Sequence, residues 1–210
     1  MLDGFNSFHP TSFLRMLLPM KSIQLVLLDR DGVINYDSPD YILNPEQWKP
    51  IPGSLEAIAR LNAAGMKVAV CSNQSALGRG MITQDVFAAI QNKMVAETHK
   101  VGGSFDYIAY CPHGPNGGCD CRKPKAGMLL EVMDALGIHD KEAVLMVGDS
   151  LRDIEAAHTA AVQGMLVSSG YGDAVVIHEK AKVLMPDILS LANLAEAVNH
   201  ILSDQQESQS

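Results

Sequence analysis

Short aliphatic runs alternate with longer amphipathic stretches along this chain. Leu25–Leu28 is apolar without a break, and Lys67–Cys71, Tyr107–Tyr110, Ala143–Val147 and Gly164–Val167 repeat the pattern. Runs this short, with little polar alternation, predict strands covered on both faces in a parallel sheet. The stretches between them have helical period. Ser54–Ala64, entered through Pro52-Gly53, puts Leu55, Ile58, Ala59 and Leu61 on one face. Thr83 stands where a cap starts a helix to about Val101, and Ala126–Leu136 stops at Gly137. Ile154–Ala161 and Leu191–Ile201 read as two further helices. This alternation predicts an α/β fold, a doubly wound, Rossmann-like parallel sheet. Residues 21–202 read as a single domain, since nothing repeats and no linker intervenes. A flexible extension over 1–20 and a disordered polar tail over 203–210 flank it.

The polar residues that close these strands carry the candidate chemistry. Leu28 runs into Asp29-Arg30-Asp31-Gly32, the second strand into Ser72-Asn73-Gln74-Ser75, and Val147 into Gly148-Asp149-Ser150, with Asp153 close behind. Arg122-Lys123-Pro124 precedes the helix that starts near Ala126. Alone, each segment is an ordinary turn, cap or surface pair. In a doubly wound sheet, however, ligands gather beyond the carboxyl ends of the strands, so these segments converge. If strand geometry continues past Leu28, Asp29 and Asp31 face the same way. Two carboxylates so placed call for a cation or a proton. Together the groups describe phosphoryl transfer, with a carboxylate nucleophile and a second carboxyl as acid and base. Mg²⁺ suits the hard oxygen ligands, with Asp149 as the third carboxylate. Ser72 and Lys123 supply donors to phosphoryl oxygens. Asp153 reads as a supporting carboxylate or as a charge at a helix N-terminus.

Cysteine usage adds a second metal. Of the four cysteines, Cys111, Cys119 and Cys121 cluster with His113 around the glycine-rich Gly114–Gly118 stretch. Three thiols and an imidazole on a segment able to turn tightly fit a closed, structural Zn²⁺ site. The plain alternative is four unrelated residues in a flexible loop. Zinc here fixes the backbone leading into Arg122 and Lys123. Cys71 lies in an apolar strand and reads as a small buried hydrophobe. Trp48 reads as cover for the core under the Pro45–Pro52 loop, with packing on a sugar as the alternative.

Composition then narrows the partners. The 210 residues are 47% hydrophobic and 19% charged, with a formal net charge of −8, which leaves no basic stripe for nucleic acid. No run is long enough to span a bilayer, and Phe13–Met20 lacks the basic start and cleavage site of a signal peptide. The expectation is a cytoplasmic monomer in a reducing compartment, acting on a small molecule without nucleic-acid or membrane partners.

Asp29–Asn35, Ser72–Gly80, Cys111–Met128 and Val147–Asp153 resemble the motifs of haloacid dehalogenase (HAD) superfamily phosphatases, and more closely those of the histidinol-phosphatase-like group that act on sugar bisphosphates. The resemblance runs from about Leu25 to Gly170. It implies Asp29 as nucleophile and Mg²⁺ ligand, and Asp31 as acid and base with its backbone carbonyl on the metal. Ser72 and Lys123 then hold the transferring phosphoryl group, and Asp149 completes the metal shell. Arg122 contacts substrate beyond the phosphate, while Asp37, Ser38, Pro39 and Asp40, with Ser72, Asn73, Gln74 and Ser75, line the sugar pocket. It also implies the zinc loop on Cys111, His113, Cys119 and Cys121, and a place in making lipopolysaccharide precursors. This chain departs from the pattern at Ser72, where Thr is frequent, at Ser150, where some relatives carry Lys, and in the short segment between His113 and Cys119. The stretches from Asp31 to Ser72 and from Ser72 to Lys123 leave no room for a large cap domain. Rival readings are a histidinol-phosphate phosphatase, a phosphoacceptor or sensing module without turnover, and a nucleic-acid end phosphatase, the last opposed by the net charge.

Overall fold

The computed structural model describes residues 22–207. Among these, six strands form one parallel sheet: β1 (Leu25–Leu28), β2 (Lys67–Asn73), β3 (Tyr107–Cys111), β4 (Val144–Gly148), β5 (Gln163–Val167) and β6 (Leu189–Leu191), in the order β3-β2-β1-β4-β5-β6. The expected doubly wound topology is therefore present. β1 lies at the centre, paired with β2 from Leu25↔Lys67 to Leu28↔Val70 and with β4 from Leu25↔Val144 to Leu28↔Val147.

Strand alternation explains why the unbroken apolar run of β1 is buried on both sides. Val26 and Leu28 pack against Ile58, Leu61, Ile90, Met94 and Val198, which come from α1 (Ser54–Ala63), α3 (Gln84–Lys100) and α7 (Leu194–Glu207). Leu25 and Leu27 pack on the other side, against Leu129, Val132, Ala156 and Ala157 of α4 (Gly127–Ala135) and α5 (Leu151–Ala160). All four β1 side chains are fully buried, each stabilising the fold by about 1.5–3 kcal/mol. Toward the β6 edge, Ala181 of α6 (Ala174–Leu184) joins Ile154, Leu166 and Ile188 in a smaller cluster.

Departures from the sequence expectations have local causes. β2 continues through Ser72 and Asn73 because its ladder with β3 continues, Ser72 opposite Tyr110 and Asn73 opposite Cys111. α5 begins at Leu151 rather than Ile154, because Ser150 caps it in a reciprocal box with Asp153. A short helix, α2 (Ser75–Gly78), follows β2 directly. Neither α6 nor β6 was legible. Asp173 caps α6 through the Val175 and Val176 N–H groups, and β6 is a three-residue edge strand on β5. The last helix accordingly starts at Leu194, not Leu191, and runs to Glu207, through part of the stretch read as a tail. Residues 1–21, which include the extension expected over 1–20, and residues 208–210 lie outside the described residues. No separate cap domain interrupts the sheet among the described residues, and no helix there is long and apolar enough to cross a membrane.

Candidate active site

The chain order reverses beside β1. It builds outward through β2 and β3, then returns to lay β4 on the other side. A crevice opens at such a switch point, beyond the carboxyl ends of the strands. Asp29 follows β1, Ser72 ends the buried part of β2, and Asp149 follows β4, so three adjacent strands deliver them together. Lys123 arrives from a loop. Its backbone is gripped by Asn73, whose Nδ2 donates to the Lys123 carbonyl at 2.9 Å while its Oδ1 accepts from the Lys123 N–H at 3.1 Å.

Lys123 Nζ is buried between two acids, 3.1 Å from Asp29 Oδ1 and 2.6 Å from Asp153 Oδ1. The Asp153 contact is a short charge-assisted bond, and with the Asp29 contact it seats the ammonium between the two carboxylates. Burial works against its charge, but Asp153 and Asp29 overcome that and hold it protonated. Asp29 Oδ1 also accepts from the Arg30 N–H at 2.7 Å, which leaves Oδ2 without a hydrogen bond among the described residues. The Asp149 carboxylate sits in a slot between Gly32 and Gly170, where a Cβ on either glycine would overlap it. Ser169 closes the slot by donating from Oγ to the Gly32 carbonyl at 2.7 Å.

Oxygen atoms of Asp29, Asp149 and Asp153 all lie within 4.8 Å of one another. Burial raises Asp149 to about 8, helped by Asp153 and Asp29. Burial likewise raises Asp29 to about 6, with Lys123 pulling the other way. Crowded carboxylates that resist ionising are what a divalent cation relieves. This donor set fits a hard ion such as Mg²⁺.

Asp31 is placed differently from the alternation argument. Strand geometry stops at Leu28, and the chain turns so that the Ile34 and Asn35 N–H groups both reach the Arg30 carbonyl. The third carboxylate beside Asp29 and Asp149 is Asp153, not that of Asp31. Asp31 is gripped by Arg30 through Nε and Nη2 at 2.8–3.0 Å, by Asn35 Nδ2 at 2.9 Å and by Gln74 Nε2 at 2.9 Å. Burial pushes its carboxyl up, but the Arg30 guanidinium and these amides win and hold it below the ordinary carboxylate value.

A cavity of about 340 Å³ covers these groups. Asp29, Asp31, Ser72 and Asp149 line it, as do Asp37, Ser38 and Pro39 on one wall and Asn73, Gln74, Ser75 and Arg122 on another. Asp40 and Lys123 do not; the Asp40 N–H turns to Ser38 Oγ at 3.2 Å. Sequence reasoning missed Arg79 and Arg152, which also line it. Arg152 follows two residues after Ser150, and its Nε donates to Ser150 Oγ at 3.2 Å. The Ser150 hydroxyl itself donates to Asp153. Arg152 lies inside the Val147–Asp153 motif, but its reach into the cavity is visible only once α5 is known to start at Leu151.

The cysteine loop is a second cluster. Cys111 Sγ stands 3.5 Å from His113 Nδ1 and 3.6 Å from Cys119 Sγ, and Cys121 Sγ stands 3.5 Å from His113 Nδ1. Tetrahedral zinc, with bonds of about 2.3 Å to sulfur and about 2.0 Å to nitrogen, sets ligands about 3.8 Å (S to S) and about 3.5 Å (S to N) apart. The observed edges fit that ion. The loop is anchored on both sides. The Gln74 N–H donates to the Cys111 carbonyl at 2.7 Å, and a Cβ on Gly78 would overlap the Pro112 carbonyl. Arg122 Nη1 donates to the His113 carbonyl at 2.8 Å, and Lys125 Nζ to the Cys119 carbonyl at 2.6 Å. Elsewhere, Cys71 is fully buried, and burial pushes its thiol up to about 12.

A parallel sheet whose central strands end in acids around one lysine belongs to a hydrolase class, and the comparisons agree. Residues 22–161 match the haloacid dehalogenase-like hydrolase family, and the chain belongs to it. A Pseudomonas aeruginosa protein named D-glycero-beta-D-manno-heptose-1,7-bisphosphate 7-phosphatase is 48% identical over 151 residues, 72% of this chain and 84% of that protein. A protein of the same name from Bordetella bronchiseptica is 44% identical, over 71% and 83%. A crystal structure of the D,D-heptose 1,7-bisphosphate phosphatase from B. bronchiseptica, complexed with magnesium and phosphate, matches with a TM-score of 0.79 at 38% identity. That match covers 87% of this chain and 99% of the other. The chain is an enzyme, a phosphatase.

Proposed function

We propose that this chain hydrolyses the 7-phosphate of D-glycero-D-manno-heptose 1,7-bisphosphate by way of an aspartyl phosphate on Asp29. The observation that carries this reading is the arrangement of Asp29: Oδ1 is tied to the Arg30 N–H and Lys123, Oδ2 accepts no hydrogen bond among the described residues, and the residue lines a cavity together with Ser72 and Asp149. Asp29 Oδ2 attacks phosphorus, the bond from phosphorus to the sugar oxygen breaks, and Asp31 gives that oxygen a proton. Water then attacks the aspartyl phosphate, Asp31 takes its proton back, and phosphate leaves Asp29 as a free carboxylate. Asp31 is ionised in the substrate-free structure, the form the second step needs. The negative phosphoryl group drawn up beside it favours the protonated form for the first. Ser72 and Lys123 donate to the phosphoryl oxygens. Asp29, Asp149 and the Asp31 carbonyl, with Asp153 beside them, would hold Mg²⁺, which would neutralise charge between the nucleophile and its anionic substrate.

Zn²⁺ on Cys111, His113, Cys119 and Cys121 fixes the loop from which Arg122 and Lys123 emerge. The likeness to the heptose bisphosphate phosphatases supports the sugar. So do the guanidiniums of Arg79, Arg122 and Arg152 at the cavity wall, none in a salt bridge among the described residues, which suit a substrate with a second phosphate. We take the enzyme as a monomer with a single domain over residues 21–202. The acidic net charge favours no nucleic-acid partner, and a reducing cytoplasm suits the thiolate ligands. A phosphate-release assay with Mg²⁺ on both anomers of the heptose bisphosphate and on histidinol phosphate tests the reading. The bisphosphate is expected to give the highest kcat/KM; a higher value for histidinol phosphate overturns the assignment of substrate.

A further inference from the structure

Beneath the cavity, a buried pair links the hydrophobic core to Asp31. Trp48 and Asn35 have no exposed surface. The indole Nε1 donates to Asn35 Oδ1 at 2.9 Å, and Asn35 Nδ2 donates to Asp31 Oδ1 and to the Tyr36 carbonyl, both at 2.9 Å. An indole N–H only donates, whereas an amide offers one accepting and one donating end. Trp48 therefore dictates which end of Asn35 faces the core, and both amide protons are left for Asp31 and the Tyr36 carbonyl. The indole is itself fastened. Lys93 Nζ donates to the Pro45 and Trp48 carbonyls at 2.7 and 3.0 Å and stands 5.9 Å from the ring centroid.

Two other residues hold Asp31. Arg30, its chain neighbour, is buried and anchors the opposite side of the carboxylate, its Nη1 donating to Gln91 Oε1 of α3 at 3.2 Å. Gln74 Nε2 divides itself between Asp31 Oδ2 at 2.9 Å and Ser72 Oγ at 2.8 Å. We propose that Trp48 is a positioning residue for Asp31, acting through Asn35 to hold the carboxyl in the orientation from which it exchanges a proton with the leaving oxygen. The proposal rests on Asp31 being the acid of the reaction. Without the indole N–H, Asn35 Oδ1 is left buried with no donor, only the two acceptors of Nδ2 still hold the amide, and the aim of Asp31 loosens.

The test uses leaving-group chemistry. The sugar alkoxide needs a proton to depart, whereas p-nitrophenolate does not. Trp48→Phe keeps the ring and removes the N–H. With Mg²⁺ present, kcat/KM for the heptose bisphosphate is expected to fall about tenfold or more, while kcat/KM for p-nitrophenyl phosphate stays within about twofold. Ile58→Val, a core change in the same cluster, serves as the control for loosened packing and is expected to show no such selectivity. Asp31→Asn is expected to show it more strongly than Trp48→Phe. An equal fall on both substrates in Trp48→Phe, no fall on either, or the same selectivity in Ile58→Val overturns the positioning role. If Asp31→Asn is unselective as well, the assignment of Asp31 as the acid fails with it; if Asp31→Asn is selective and Trp48→Phe is not, only the inference about Trp48 fails.

Discussion

The carboxylate cluster and the cysteine loop lie on either side of the Arg122-Lys123 segment, yet they are built on opposite terms. Asp29, Asp149 and Asp153 crowd like charges around one ammonium and leave Asp29 Oδ2 unengaged. Their arrangement is electrostatically unfinished, and burial sharpens it. Cys111, His113, Cys119 and Cys121 instead already stand at separations that suit one tetrahedral ion, with no ligand position left over. The first site has to remain open because its chemistry consists of accepting and releasing anions. The second, filled by one tetrahedral ion, would leave no position for substrate, which suits the structural role proposed for it.

The sharpest way to break this contrast is at the nucleophile. Asp29→Asn keeps the shape of the cavity but removes the attacking oxygen. Phosphate release with Mg²⁺ is expected to fall by at least about 10³-fold while zinc content, read by metal analysis, stays unchanged. Retained turnover would assign the nucleophile elsewhere. Cys119→Ser attacks the other side. It is expected to abolish stoichiometric zinc and to lower kcat/KM by about 10–100-fold, because Arg122 and Lys123 lose their support. Full activity in a zinc-free variant would reduce the loop to a bystander.

Smaller effects refine the picture. Arg152→Met is expected to raise KM for the bisphosphate by about tenfold and to leave p-nitrophenyl phosphate hydrolysis unchanged, as one charge-assisted contact to a distant phosphate requires; an equal effect on both substrates argues against that contact. Stability should respond most gently. A carboxyl raised in the folded protein favours folding below its ordinary value of 3.8 and loses that contribution as the pH climbs, here through about 6 for Asp29 and about 8 for Asp149. Metal-free protein therefore becomes less stable across this window, and the gain in Tm from Mg²⁺ is expected to be at least about 3 °C larger near about pH 8 than near about pH 5. A gain independent of pH, measured by thermal melting at both, would place the cation away from these two acids.

The sequence made the sheet legible because its central strands are covered on both faces, and continuous apolar runs announce that condition. β6 was illegible because an edge strand of three residues buries too little to leave a pattern. α6 hid for a related reason: Val175 and Val183 are exposed, so its apolar residues do not mark one face. At the site, the motifs located Asp29, Ser72, Lys123 and Asp149 because each ends a strand or abuts a helix. They did not reveal which carboxylates meet. That depended on where β1 stops, and a strand-period argument carried past Leu28 aimed Asp31 at the cluster that Asp153 occupies. Asp153 had been open to two readings, and it takes both, as partner of Lys123 and as half of the α5 cap. Trp48 was legible as core cover, but its N–H and what that fixes were not.

The place of β1 between β2 and β4 has a consequence for how the molecule comes into being. β2 follows β1 closely, but its other neighbour, β4, begins only at Val144. At about 5–20 residues per second of synthesis, Leu25–Leu28 waits about 6–24 s with one backbone edge unpaired. Until then neither Asp149 nor Asp153 exists, so the carboxylate cluster around Asp29 is incomplete. Protection of that edge and completion of the cluster are therefore coupled: the strand that pairs the open side of β1 leads directly into Asp149, with Asp153 on the helix that follows.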